Sequence, residues 1–466
     1  MSKKKLLVLL LTVVLLPALI AACSSTPDET DEPEPEATEV PEPAATDVPA
    51  PTEEPMPMVD PSGQNITFWH AMSSGANLEG LTAVVDEFNA TNEWGITVEA
   101  LSQGRQSELE TAFNGAVTTG ELPNLAQGFA NGLVKWHSLG AIMPLNDFIS
   151  DPNYGVDEAV YGGIFPGPLS SGTLPDGSQI GIPMNQSAQV IFYNHTWAQE
   201  LGFANPPATS AEFKEQACAA SAFNDADDDP DNDGTGGYVM FPSASTLAPW
   251  IWAFGGEFVN EAGDGYDFSS QAVLDSMVFQ KDLVASGCIL TTPSFPNPEF
   301  AARQALFAVS STAGIPFQRG AMEDAGNEDT WGAIPFPGPD GTLVVNGFGQ
   351  MVGIVPTNAE QDLAAWLFLR YLTSPETQAT WIEFTSYFPT QSTTDVSAKA
   401  DDSVWNEAWA LLSLAKSEPN LAAHGSVRGA MQDAGFAVMG AETTEDIIAI
   451  LAELHELAAE LVAESQ

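Results

Sequence analysis

Apolar positions along this chain switch between two spacings. Ile66 and Phe68 alternate with polar neighbours over Gln64–Trp69, the period of a strand with one buried face. Leu78, Leu81, Val84, Val85 and Phe88 then fall at helical spacing. Ile96, Val98 and Ala100 alternate again, and a second helix carries Leu109, Phe113 and Val117 before stopping near Gly120. Leu125–Phe129 reads as a third strand. Strands and helices in alternation predict an open α/β sheet. The first strand-to-helix turn has no glycine-rich phosphate loop, so a nucleotide fold is not supported. Far downstream, Ile447, Ile448, Leu451, Leu454, Leu457 and Leu461 follow Thr443, a residue suited to capping. They predict an amphipathic helix that packs on the core.

One apolar run breaks both patterns. Three lysines (Lys3–Lys5) precede Leu6–Leu19, which is almost wholly apolar yet too short to be a convincing membrane span. The small residues that follow, Ala21-Ala22, lead directly to Cys23. Residues 1–22 read as a secretory signal, and the placement of the cysteine resembles a bacterial lipobox. That resemblance implies cleavage ahead of Cys23, lipidation of its thiol and anchoring outside the cell membrane. An ordinary signal peptide with an incidental cysteine is the plainer alternative. Residues 23–62 then form a lipidated cysteine and a tether rich in Pro, Glu, Thr and Ala, with too little apolar surface to offset chain entropy. Extended at roughly 3 Å per residue, it reaches up to about 100 Å.

The remaining chain is long enough for two lobes with substantial cores. With eleven tryptophans and no second long apolar run, it should be a globular body held at a membrane surface. A formal charge of −50 disfavours nucleic acid and anionic lipid as partners, and adaptation to salt explains it equally well. Cys218 and Cys288 are the cysteines beyond the lipobox; outside the cytoplasm they form either a disulfide or two buried thiols. No catalytic constellation emerges. The five histidines lack HExxH spacing, no GxSxG elbow occurs, and 63 carboxylates single out no acid–base pair. Asp229, Asp231 and Asp233 open like a calcium loop, but Met240 stands where the closing glutamate belongs, with Asp225 or Asp227 as substitutes. The loop is either a structural calcium site or a solvated acidic turn.

An ordered set of short motifs carries a resemblance. It runs from Ile66-Thr67-Phe68-Trp69-His70-Ala71-Met72 through Leu122-Pro123-Asn124-Leu125, Gly181-Ile182-Pro183-Met184-Asn185 and Ile191-Phe192-Tyr193-Asn194. It continues with Gly332-Ala333-Ile334-Pro335-Phe336-Pro337, Tyr371-Leu372-Thr373-Ser374-Pro375-Glu376 and Tyr387-Phe388-Pro389. In that order they resemble the extracellular solute-binding proteins of ABC importers, carbohydrate-type. The resemblance implies an α/β, two-lobed periplasmic-binding-protein-like fold of type II, with hinge strands and an inter-lobe ligand cleft. It places lobe 1 at residues 63–187 plus 333–386 and lobe 2 at 188–332 plus 387–466. It further implies a monomer that needs no cofactor, takes a small-molecule carbohydrate and hands it to permease subunits.

A sugar offers C–H faces to aromatic rings and hydroxyls to amides. Candidates near strand ends are therefore Trp69, His70, Gln103, Gln127 and Asn185 in lobe 1 and Trp250, Phe254, Ser310, Ser311 and Thr312 in lobe 2. The resemblance adds Gly347, Tyr387 and Arg428. Trp250 and Phe254 fit a core equally well, and His70 fits a turn. Against the family members that bind sn-glycerol 3-phosphate, Gln106 replaces a tyrosine, Ala130 an acidic residue, and Ser243-Ala244-Ser245-Thr246 a tryptophan-rich loop. Phosphate calls for several charge-assisted donors, and the chain has thirteen Lys and Arg in all. A neutral sugar is the preferred ligand, with glycerol 3-phosphate or a glycerophosphodiester as the alternative. A surface polysaccharide hydrolase and a sensor module are the rival classes.

Overall fold

The computed structural model describes residues 59–292 and 295–465. The signal segment, Cys23 and the tether up to residue 58 lie outside the described residues. The strands, in chain order, are β1 Asn65–His70, β2 Thr97–Ser102, β3 Leu125–Gly128, β4 Ile182–Pro183, β5 Ser187–Asn194, β6 Gly236–Met240, β7 Ile289–Thr291, β8 Ala305–Ser311, β9 Trp331–Ile334, β10 Phe336–Pro337, β11 Leu343–Phe348, β12 Met351–Ile354 and β13 Ala415–Lys416. They form two sheets.

The first sheet has the order β2-β1-β3-β12-β4. Its β1, β2 and β3 run parallel, and β12 pairs antiparallel with both β3 and β4. The alternation read from Ile66 and Phe68 puts both residues in the core, where Phe68 meets Phe368 edge-on. Helix α1 (Gly75–Thr91) buries Leu81, Val84, Val85 and Phe88 on this sheet. Helix α2 (Gln106–Thr119) buries Leu109 and Phe113 and ends at Gly120, whose φ of +80° suits a residue without a Cβ. The third strand stops one residue earlier than expected, because Phe129 turns away to open helix α3 (Ala130–Ser138).

The second sheet has the order β10-β11-β5-β8-β6-β7, with β9 also paired to β5 and β13 to β11. Its core gathers Trp197, Phe213, Tyr238, Trp250 and Phe307. A disulfide joins Cys218, in the helix Ser210–Asn224, to Cys288 just ahead of β7, with Cα atoms 4.8 Å apart. The last helix, Thr444–Glu464, begins at the expected cap: Thr443 Oγ1 accepts the Asp446 N–H, and the Asp446 carboxylate accepts the Thr443 N–H. Ile447, Leu451 and Leu454 pack inward as expected. Ile448 and Leu457 instead lie on the outer face, 50% and 41% exposed, since neither shares the stripe that meets the core.

Three segments cross between the sheets. Residues 184–186 join β4 to β5, residues 349–350 join β11 to β12, and residues 385–389 lead back after the helix Pro375–Phe384. They lie side by side. Met184 N–H donates to Gln350 O at 2.9 Å, and Gln186 and Phe388 exchange backbone bonds at 3.1 and 2.8 Å. Gly349 allows this approach, because a Cβ there would stand 2.1 Å from Asn185 O. The crossing points correct one expected boundary: β9, β10 and β11 pair within the second sheet, so the chain re-enters the first after Phe348, not at residue 333. Among the described residues, no helix is long and apolar enough to cross a membrane.

Candidate functional site

A cleft of about 270 Å³ opens where the crossing segments meet. From the first sheet it takes Phe129, Ala130 and Asn131 at the start of α3, with Gly167, Pro168 and Ser171 from the short helix Pro166–Ser171. Asn185 and Gln186 form its floor at the crossing. The second sheet contributes Gly347 and Phe348 at the end of β11, Ser245, and the run Ser417–Asn420 with His424 and Arg428. Phe129 and Asn131 follow the C-terminal end of β3, the edge where open α/β sheets bind ligands. Gly128 permits that turn, since a Cβ there would come within 2.6 Å of Leu133.

Two phenyl rings meet in the cleft. Phe129 and Phe348 meet edge-to-face at 6.1 Å, one from each sheet. Amides surround them. Asn185 Nδ2 donates to Gln350 Oε1 at 2.7 Å and Asn185 Oδ1 accepts the Gln350 N–H at 3.0 Å, so the floor amide is held in one orientation.

One wall is an ionic network. Glu418, in the loop after β13, accepts from His424 Nε2 at 2.8 Å, from Asn346 Nδ2 at 2.7 Å, from Ser245 Oγ at 3.1 Å and from Arg428 Nη1. Arg428 Nη2 donates to Ser245 Oγ at 2.9 Å, and its guanidinium lies 6.0 Å from the Phe129 ring. His424 and Arg428 stand four apart on the helix His424–Gly440, so both reach the same carboxylate. Burial opposes a charge on Glu418, but Arg428 and His424 outweigh it and hold the carboxyl well below the usual carboxylate range. Burial lowers the His424 pKa, with Glu418 opposing. His424 is therefore neutral near pH 7: its Nε2–H donates to Glu418, and its Nδ1 accepts the Tyr266 hydroxyl at 2.8 Å.

Of the residues singled out from sequence, Asn185, Gly347 and Arg428 line this cleft. The others do not. Trp69 packs edge-on against Phe113 at 6.4 Å. His70 is 1% exposed and its Nδ1 accepts the Met72 N–H, while burial lowers its pKa to about 4. Gln103 continues the β1–β2 ladder through its backbone. Gln127 is buried, accepting the Ala71 N–H at 2.7 Å. Tyr387 is buried on Trp381, and burial pushes its hydroxyl up to about 12. Trp250 lies deep in the second core against Phe213 and Phe336, and Phe254 packs on Phe279. Ser310 bonds back to Ser311 O, Ser311 caps the turn that follows, and Thr312 Oγ1 accepts the Ala188 N–H.

Sequence reasoning missed Phe129, Asn131, Phe348, Ser245, Glu418 and His424. The spacing of His424 and Arg428 was the available signal, because residues four apart share a helix face. Asp229, Asp231 and Asp233 are exposed and spend their turn on local bonds: Asp229 Oδ1 accepts the Asp231 N–H, and Asp225 Oδ1 accepts the Gly234 N–H. Among the described residues, no group of three or more His, Cys, Asp or Glu converges as a metal site.

Two sheets joined by three crossing segments, with a cleft at the crossing, define a type II periplasmic-binding fold. The chain belongs to the bacterial extracellular solute-binding protein family, whose model matches residues 83–413. Among curated relatives, the sn-glycerol-3-phosphate-binding periplasmic protein UgpB of Agrobacterium fabrum is 30% identical over 155 residues, 33% of this chain and 34% of the relative. The chain thus spans about a third of the length of the first curated relatives it matches. Among solved structures, the GacH receptor of Streptomyces glaucescens, described with acarbose, superposes with a TM-score of 0.73 at 20% identity, covering 86% of this chain and 99% of that one. UgpB of Mycobacterium tuberculosis with glycerophosphocholine superposes at 0.73 and 19% identity, over 86% of this chain and 99% of that one. These relatives are binding proteins, not enzymes.

Proposed function

We propose that this chain is the extracytoplasmic receptor of an ABC importer, anchored through a lipidated Cys23, that captures a neutral sugar or short oligosaccharide. The observation that carries the ligand class is the cleft lining: the Phe129 and Phe348 rings offer apolar surface for sugar C–H groups, and Asn131 and Gln186 line it with amides. Lobe 1 corresponds to residues 63–186 plus 349–386 and lobe 2 to 187–348 plus 387–466, with the crossing segments as hinge. Ligand favours closure by binding both lobes at once, and the closed form is what a permease would recognise. Contacts already bridge the cleft: Asn420 Nδ2 donates to Ser171 O, and Phe165 meets Trp409 at 6.2 Å.

A glycerophosphodiester is the second reading, favoured by Arg428 in the cleft and by the glycerophosphocholine complex of the fold relative. Thermal unfolding of purified chain against neutral saccharides, glycerol 3-phosphate and glycerophosphocholine separates the two, because binding to the native state raises the midpoint. A rise with one neutral saccharide class is expected; a rise with the phosphates alone would reject the sugar reading. The anchor is tested by fractionating cells that carry Cys23→Ser, which should move the protein from membrane to soluble fraction.

A further inference from the structure

Arg428 and Glu418 are the formally charged residues among those lining the cleft, and they are paired with each other. The Glu418 side chain is 10% exposed and the Arg428 side chain 28%, so the arginine is the partner nearer to solvent. Glu418 is held by three donors besides Arg428: Ser245 and, on β11, Asn346, from two other elements, and His424 from the helix that carries Arg428. The arrangement is over-determined for a simple surface ion pair, whose partners are free to swing apart. Here the carboxylate is locked against one edge of the guanidinium, and Ser245 is bonded to both.

We propose that Glu418 sets the charge preference of the cleft. Resting on the receptor reading above, it is a specificity residue: by neutralising Arg428 in place, it denies an incoming anion the cation that a phosphate needs. A phosphate or carboxylate entering beside Arg428 would meet a compensated guanidinium and a fixed negative charge behind it. A neutral hydroxyl pays no such penalty and can still accept from whichever guanidinium N–H groups face it. The same pair thus rejects anions while keeping a polar handle for sugars.

The substitution Glu418→Gln tests this with little change of shape. Its amide keeps an oxygen for Asn346 and Ser245; its NH2 faces His424, whose ring can accept there by moving its proton to Nδ1 and donating to Tyr266, and the NH2 no longer accepts from Arg428 Nη1, which is thereby freed for a ligand. Calorimetric titration with sn-glycerol 3-phosphate, against glycerol as its neutral counterpart, should show affinity for the phosphate rising at least about tenfold over the unsubstituted chain at low salt, with glycerol unchanged. The gain should shrink between about 20 mM and about 500 mM NaCl and vanish in Glu418→Gln combined with Arg428→Met. Should Glu418→Gln not fold, Glu418→Asp, which withdraws the carboxylate by one methylene, should give a smaller gain in the same direction. A folded variant whose affinity for glycerol 3-phosphate matches the unsubstituted chain, or whose gain survives removal of Arg428, overturns the proposal. The sugar reading fails differently: the unsubstituted chain would then bind glycerol 3-phosphate in preference to every neutral saccharide, whatever the ratio between variants.

Discussion

His70 shows how far a side chain's surroundings can depart from what its neighbours in sequence suggest. It ends β1, at the edge that faces the cleft, yet its ring lies beneath Met72 and beside Phe68 and is shut away from water. Burial disfavours the imidazolium and brings the folded-state pKa to about 4, while the unfolded chain keeps about 6.5. The unfolded state therefore binds the proton first as pH falls. Stability from this group is complete above about pH 6.5, declines as the medium is acidified toward pH 4, and is constant below that. Between pH 7 and pH 5 the loss should be about 2 kcal/mol. Urea unfolding at those two pH values checks it: His70→Asn should lower the difference by about that amount. An unchanged difference would show that His70 titrates as if it were exposed.

At the scale of elements, the local patterns were legible where one face of an element meets one core. α1, α2 and the last helix follow the spacing of their apolar residues, and Gly120 and Thr443 end or begin them as such residues do. The limits are equally instructive. Ile448 and Leu457 are apolar at helical spacing, but the partner surface is narrower than the stripe they belong to. The run containing Trp250 is apolar on every side because the helix Ala244–Ala253 is buried all round, so no face could be assigned in advance. The link between Cys218 and Cys288 ties the helix Ser210–Asn224 to the approach to β7 across 70 residues of chain. Closing a loop of that length removes unfolded-state entropy, for a stabilisation of about 2–4 kcal/mol. Reduction with denaturation followed by calorimetry, or Cys218→Ala with Cys288→Ala, should lower the unfolding midpoint by several degrees, and an unmoved midpoint would contradict it.

For the whole molecule, 63 acidic residues against 13 basic ones set a field that no single ion pair offsets. Self-repulsion weakens the compact state, and salt screens it. The unfolding midpoint should therefore rise as NaCl goes from about 50 mM to about 1 M; a flat or falling profile would place the acidic groups too far apart to matter. What the sequence determined by itself was the α/β alternation, the family and the absence of a catalytic motif, because periodicity and short motifs are properties of neighbouring residues. Asn185 was singled out from its place near a strand end, and Gly347 and Arg428 through the family resemblance, and all three line the cleft. The tertiary structure decided the rest. Only the crossing of three distant segments shows that β9 to β11 belong to the second sheet, that Gln127 points into the core while Phe129 two residues on reaches the cleft, and that Glu418 meets Arg428. A cleft is made of residues far apart in the chain, and no local pattern records which of them will meet.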